Sequence, residues 1–235
     1  MENASGRRTL GASLRASLST LLLRPHRIIL SKPFALIFAL YGGTYLTANA
    51  LDTASATVNR RPATAVTSGT AKFAASSAAN ISLCIYKDQV FARLFGPPGS
   101  GPPRPVALPT YLLFAARDCM TIFASFNVPH LLGPVLTAHL SDQVQKYASG
   151  ATIAQFAAPA AVQLFSTPVH LLGLDIYNRP FDRRAGAPNF RDRWQAVGKN
   201  WAVSTAARVC RIVPAFGVGG VVNYKVRTAL MEKLI

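Results

Sequence analysis

Residues 147–174 read YASGATIAQFAAPAAVQLFSTPVHLLGL, 28 residues without an Asp, Glu, Lys or Arg side chain. About 20 mostly apolar residues in a helix cross the hydrocarbon core of a bilayer, so this stretch has length to spare. Directly after it, residues 178–199 carry Arg179, Arg183, Arg184, Arg191, Arg193 and Lys199 against Asp182 and Asp192. A basic soluble protein intersperses its charge with its apolar mass; here the two are separated, as they are in membrane proteins.

The same separation recurs along the chain. Its 235 residues are 50% hydrophobic and 14% charged, with a net charge of +16. Soluble domains carry roughly 25% charged residues, and a charge in hydrocarbon costs several kcal/mol. Apolar blocks at about 33–51, 64–86, 106–140, 151–176 and 202–224 predict five spans, and alternating strand patterns are absent. The expected fold is all-α, a multi-span transmembrane helical bundle over residues 33–235. Gly and Ala at four-residue spacing, such as Ala157 and Ala161, suit close helix approach in lipid.

Residues 1–32 are basic and serine-rich with one acid, Glu2, the composition of a mitochondrial targeting sequence. With five spans, this segment and the loops at 87–105 and 178–199 share one face holding fifteen basic residues, against six on the other. Positive charge stays on the side from which insertion is driven, so the first face is expected to be the inner one. The GPPGSGPPRP stretch at 96–105 reads as an extended loop.

Three cysteines and four histidines are scattered, without metal-ligand spacing. Phosphate-cradling loops and nucleophile motifs are absent as well. The glycines at 217, 219 and 220 read as a close-packing or kink element. No catalytic residue, metal or cofactor is expected, and the chain is read as a non-enzyme. Because the basic residues lie in short loops beside apolar spans, nucleic acid is not an expected partner.

Chemistry is therefore sought among charges inside the spans, which must pair or face a polar cavity. Lys72, Arg117, Asp118, Arg208 and Arg211 are the candidate solute-binding or ion-pair residues, with Asp175 at a span end. Arg117 and Asp118 are neighbours, and adjacent helical residues point to different faces. Asp118 is thus expected to pair with Lys72 or Arg211 from another helix. The HLLG tetrapeptide occurs at both 130–133 and 170–173.

Several motifs resemble the mitochondrial carrier family: FSTP at 165–168, RIVP at 211–214 followed by Tyr224, and Arg117 followed by FNVPH at 126–130. That resemblance implies a divergent version of a six-helix barrel built from three helix pairs, with basic loops on the matrix side. Where carriers place gate charges, this chain has His170, Gly173, Asn127 and Lys225. YGGTYLTAN at 41–49 and TPVHLLGLDIYNRP at 167–180 resemble a group of uncharacterised fungal mitochondrial membrane proteins. The resemblances imply a mitochondrial membrane, the inner rather than the outer. The missing gate charges lead to a structural or assembly role as the first expectation; transport of a small anionic solute is the alternative. Lipid is the expected partner, joined by that solute on the second reading and by other membrane proteins on the first.

Overall fold

The computed structural model describes residues 10–95, 106–179 and 189–234. The extreme N-terminus, the loop at 96–105 and the middle of the basic loop at 180–188 lie outside these residues. Every described element is helical. In chain order they are α1 (Leu10–Leu23), α2 (Pro25–Ile29), α3 (Lys32–Val58), α4 (Thr70–Phe95), α5 (Leu108–Phe126) and α6 (Val128–His139). There follow α7 (Asp142–Gln145), α8 (Gly150–Asn178) and α9 (Phe190–Ile212), then a π-helical segment (Val213–Val218), α10 (Gly219–Met231) and a 3-10 turn (Glu232–Leu234).

The helical class agrees with the sequence reading; the spans need correction. Three helices are long and apolar enough to cross a membrane: α3, α8 and the 42-residue rod Phe190–Met231. A fourth crossing results if α5 and α6, bent by 42°, form one broken span. This is fewer than the five expected and the six of the carrier arrangement. The block at 64–86 does not qualify: residues 64–69 precede α4, which is diluted by Lys72, Ser76, Ser77 and Asn80. The last span was expected to start at 202, but helix begins at Phe190 inside the basic loop. There Asn189 caps the α9 N-terminus, its side chain and that of Asp192 satisfying each other's backbone N–H groups, a capping box.

Beside apolar core residues such as Ile122 and Phe216, many polar side chains lie inside, and large apolar ones lie outside. Thr44, Asp52, Lys72, Ser76, Thr110, Gln163, Ser166, Arg193, Arg208 and Arg227 are buried, while Phe38, Leu46, Leu112, Phe165 and Val203 are more than half exposed. Water would penalise such a surface heavily. Lipid favours it, leaving polar groups to pair in the interior.

The chain divides into two compact units, one of residues 1–44 with 79–105, the other of residues 45–78 with 106–235. In the first, Thr44 Oγ1 donates to Asn80 Oδ1 at 3.3 Å, and Gly43 leaves room for Leu83, whose Cδ1 would sit 2.8 Å from an added Cβ. In the second, α8 packs against α5, α6 and α9. Gly150 makes the α6 crossing tight: an added Cβ would fall 2.5 Å from Gly133 O and from Thr137 N and Oγ1.

Proline breaks in the second unit are repaired by side chains from neighbouring helices. A helical proline has no N–H for the carbonyl four residues back. Pro168 leaves Leu164 O to the Trp201 indole, at 3.1 Å. Pro129, at the α5–α6 break, leaves Ser125 O to Gln155 Nε2, at 3.0 Å. α3 ends on Arg60 at φ 51°, with Arg61 N bonding Ala56 O and Arg60 N bonding Thr57 O. This is a Schellman stop with arginine in the left-handed position that usually takes glycine, and it turns the chain into the segment 59–69.

Candidate functional site: a polar cavity in the larger unit

The helix ends of the larger unit surround a cavity of about 280 Å³. α3 contributes Tyr45, Asn49 and Asp52, and α4 contributes Lys72. Ser125 and Phe126 come from α5, His130 from α6, Gln155 from α8, and Asn223, Tyr224 and Arg227 from α10.

At its base Lys72 Nζ donates to Asp52 Oδ2 at 2.9 Å, with both side chains almost wholly buried. Asp52 Oδ1 also accepts from Thr67 N at 2.9 Å. Arg227 is buried and donates to Thr64 O and Ala63 O. Asn127 donates to Ser68 O at 2.8 Å. Three polar side chains, from α3, α10 and the α5–α6 break, thus fasten segment 59–69 beside the cavity. Arg227 meets only carbonyl oxygens, and its Nε has no partner. With Lys72, Arg227 and Asp52 ionised, the base holds one positive charge in excess.

The wall is made of amides. Asn49 Nδ2 donates to Asn223 Oδ1 at 2.7 Å, and Asn223 Nδ2 returns the bond to Asn49 Oδ1 at 3.1 Å. Gln155 Nε2 is shared between Ser125 O and Phe216 O, at 3.0 and 2.8 Å. One side chain therefore ties the α5–α6 break to the π-helical segment. Tyr45 adds a second tie, its hydroxyl donating to Ala215 O at 3.0 Å. Its ring meets Phe126 and Phe216, with centroids 5.2 and 6.1 Å apart, and those two rings meet each other at 5.8 Å. Gly220 leaves the space that Gln155 fills, since an added Cβ would lie 2.3 Å from Gln155 Nε2. The glycines at 217, 219 and 220 thus serve packing and helix irregularity, as their sequence suggested.

The predicted charges separate into two places. Lys72 is in the cavity, but its acid is Asp52, not Asp118. Arg117, Asp118 and Arg208 form another centre. Arg117 Nε and Nη2 both reach Asp118 Oδ1, at 2.9 and 2.7 Å, and Arg117 Nη1 lies 3.0 Å from His170 Nδ1. The expectation that these neighbours do not satisfy each other is corrected: the long arginine arm bends back across the helix to its neighbour's short carboxylate. Arg208 donates to Gln163 Oε1 and Ser166 Oγ. Arg211 is exposed, so it belongs to no buried cluster. Asp175 pairs with Arg179 and Arg193 at the α8 C-terminus.

Asp52, Arg227, Gln155 and the Asn49–Asn223 pair were not singled out from sequence. Asp52 lies one residue past the first apolar block, and the amides carry no formal charge to draw attention. A usable signal existed in the stripe Thr44, Ala48, Asp52 and Ala56, at the four-residue spacing of one helix face. The two HLLG copies place His130 in the cavity and His170 against Arg117. Among the described residues no three His, Cys, Asp or Glu side chains meet as metal ligands.

The cavity lining offers an ion pair, amide edges for hydrogen bonds and rings that exclude water, an arrangement able to bind a small polar solute. Comparison with known proteins gives the same direction. No curated protein and no solved structure matches the chain. A family model described as "probable citrulline exporter" matches residues 1–231, which favours transport over the structural role expected first. The chain is a membrane protein that belongs to the probable citrulline exporter family.

Proposed function

We propose that the chain carries a small neutral amino acid of the citrulline type across a membrane, and that the cavity of the larger unit is its binding site. The observation that carries this reading is the convergence of the Lys72–Asp52 pair with the Asn49–Asn223 amide pair on one cavity. A zwitterionic amino acid offers a carboxylate to Lys72 and Arg227 and an ammonium group to Asp52. Its ureido end offers one carbonyl and neighbouring N–H groups, the same edge that each asparagine amide presents to the other. A cavity near the lower end of ligand-sized pockets, roughly 300 Å³, suits a solute of this size. This reading replaces the anionic solute expected from sequence with a net-neutral one that carries a carboxylate.

The finer placement follows the N-terminal composition: a mitochondrial membrane, the inner one. The carrier-like motifs are then local likenesses of helix breaks at proline. The chain would act without chemistry on its solute, as a non-enzyme.

Counterflow into proteoliposomes preloaded with citrulline tests the assignment. Labelled citrulline should exchange, and excess unlabelled citrulline should compete far better than ornithine, whose ammonium end has no acid to meet beyond Asp52, or than a dicarboxylate. Equal competition by all three would remove the cavity from consideration as the selective site.

A further inference from the structure

Away from the cavity, α8 carries a second polar stripe, Gln163, Ser166, Thr167 and His170, at the spacing of one helix face. Arg208 from α9 lies on it, only 8% exposed. Its Nε donates to Gln163 Oε1 at 3.0 Å and its Nη2 to Ser166 Oγ at 3.2 Å. Both partners are neutral. They orient the guanidinium without neutralising it, and Nη1 makes no hydrogen bond among the described residues. The nearby acid, Asp118, is already taken by Arg117, which also holds His170. Thr167 Oγ1 on the same stripe is buried without a partner. Gln163 and Ser166 carry no charge, so neither offsets the Arg208 guanidinium buried on this stripe. Burying a lone cation is costly unless an anion meets it.

The two centres share their helices. From Ser125 to Arg117 on α5, and from Gln155 to Gln163 on α8, the chain advances eight residues, about 12 Å of helix. On the third rod Phe216 stands between Arg208 and Gly220, with its ring against Phe126 and Tyr45.

We infer that Arg208, oriented by Gln163 and Ser166 and flanked by Arg117, is a second binding site for the carboxylate of a small acid, separated from the cavity by the Tyr45–Phe126–Phe216 rings. A guanidinium edge and a carboxylate match in two parallel hydrogen bonds. As a station on a solute path the site rests on the transport reading; as a carboxylate site it stands alone. A solute leaving the cavity exchanges Lys72 for Arg208 as the partner of its carboxylate.

The probe is radiolabelled propionate, which has the carboxylate and nothing else, in equilibrium dialysis against the full chain in phosphatidylcholine nanodiscs. A saturable site should be present that Arg208→Gln removes. Arg208→Lys, which keeps the charge and loses the fork, should weaken the same site about tenfold and guard against misfolding of the glutamine variant. Propionate binding that neither substitution alters, or none at all, overturns the inference. Citrulline counterflow run in parallel separates the two claims. Counterflow without an Arg208-dependent propionate site leaves the cavity reading standing and removes this one; the reverse result removes only the cavity reading.

Discussion

Lys72 Nζ lies 2.9 Å from Asp52 Oδ2 with each side chain about 97% closed to solvent, and Arg227 contributes a second buried cation to the same cavity. An ion pair in such surroundings is costly to form and more costly to halve. Removing one member of a buried pair costs about 3–5 kcal/mol, because the other charge stays behind. Lys72→Met and Asp52→Asn should therefore each lower the melting temperature strongly in detergent. The double variant should recover a large part of the loss. Additive losses in that double-mutant cycle would show that the two side chains do not act as a pair.

The reciprocal amide pair makes a different prediction, because no charge is involved. Asn49→Leu or Asn223→Leu leaves one amide unpaired, at a cost of about 1–3 kcal/mol. It also removes half of the edge that would read a ureido group. Citrulline transport should fall at least tenfold in either variant while the protein still folds. Unchanged competition by citrulline in a folded Asn223→Leu protein would assign the ureido end to other residues.

Gln155 joins two breaks in the helices, the α5 end at Ser125 O and the π-helical segment at Phe216 O. Gln155→Leu deprives both carbonyls of a donor, and about 2 kcal/mol of stability should go with them. Gly220→Ala should reproduce much of this loss from the opposite side, because its methyl group needs the space of the Gln155 amide. Thermal melts of the two single variants and of the double variant check it: the combined loss should be clearly less than the sum.

Arg60 supplies a test of the fold that leaves the cavity side chains in place. At φ 51° it occupies a conformation that costs an L-residue roughly 1–2 kcal/mol relative to glycine. Arg60→Gly should raise the melting temperature. A lower melting temperature would show that the arginine side chain contributes more at this turn than its backbone costs.

What the sequence made legible was the distribution of apolar mass. The uncharged stretch at 147–174 became the core of α8, almost at its expected bounds, because lipid leaves a compositional mark that needs no tertiary information. The start of the final rod was misplaced by a dozen residues. Charge there read as loop, whereas Asn189 and Asp192 cap a helix that carries its basic residues onward from Phe190. Pairing was the least legible. Composition pointed to Lys72, Arg117, Asp118, Arg208 and Arg211 as charges inside the spans, but Arg211 is exposed, and which acid meets which base depends on helix rotation. Asp52 was missed for being one residue outside an apolar block, and Arg117 turned to its own neighbour because its side chain is long enough to do so. The amides went unnoticed because uncharged polar residues are common in membrane helices, and only their meeting across α3 and α10 distinguishes them.

Efflux of preloaded citrulline from proteoliposomes tests the central claim most directly, with wild-type protein compared against the paired Lys72→Met/Asp52→Asn variant and protein-free vesicles. The account predicts saturable efflux with the wild type and a rate with the paired variant close to that of empty vesicles. Efflux that is equal in all three, or that survives intact when the Lys72–Asp52 pair is removed, would contradict it.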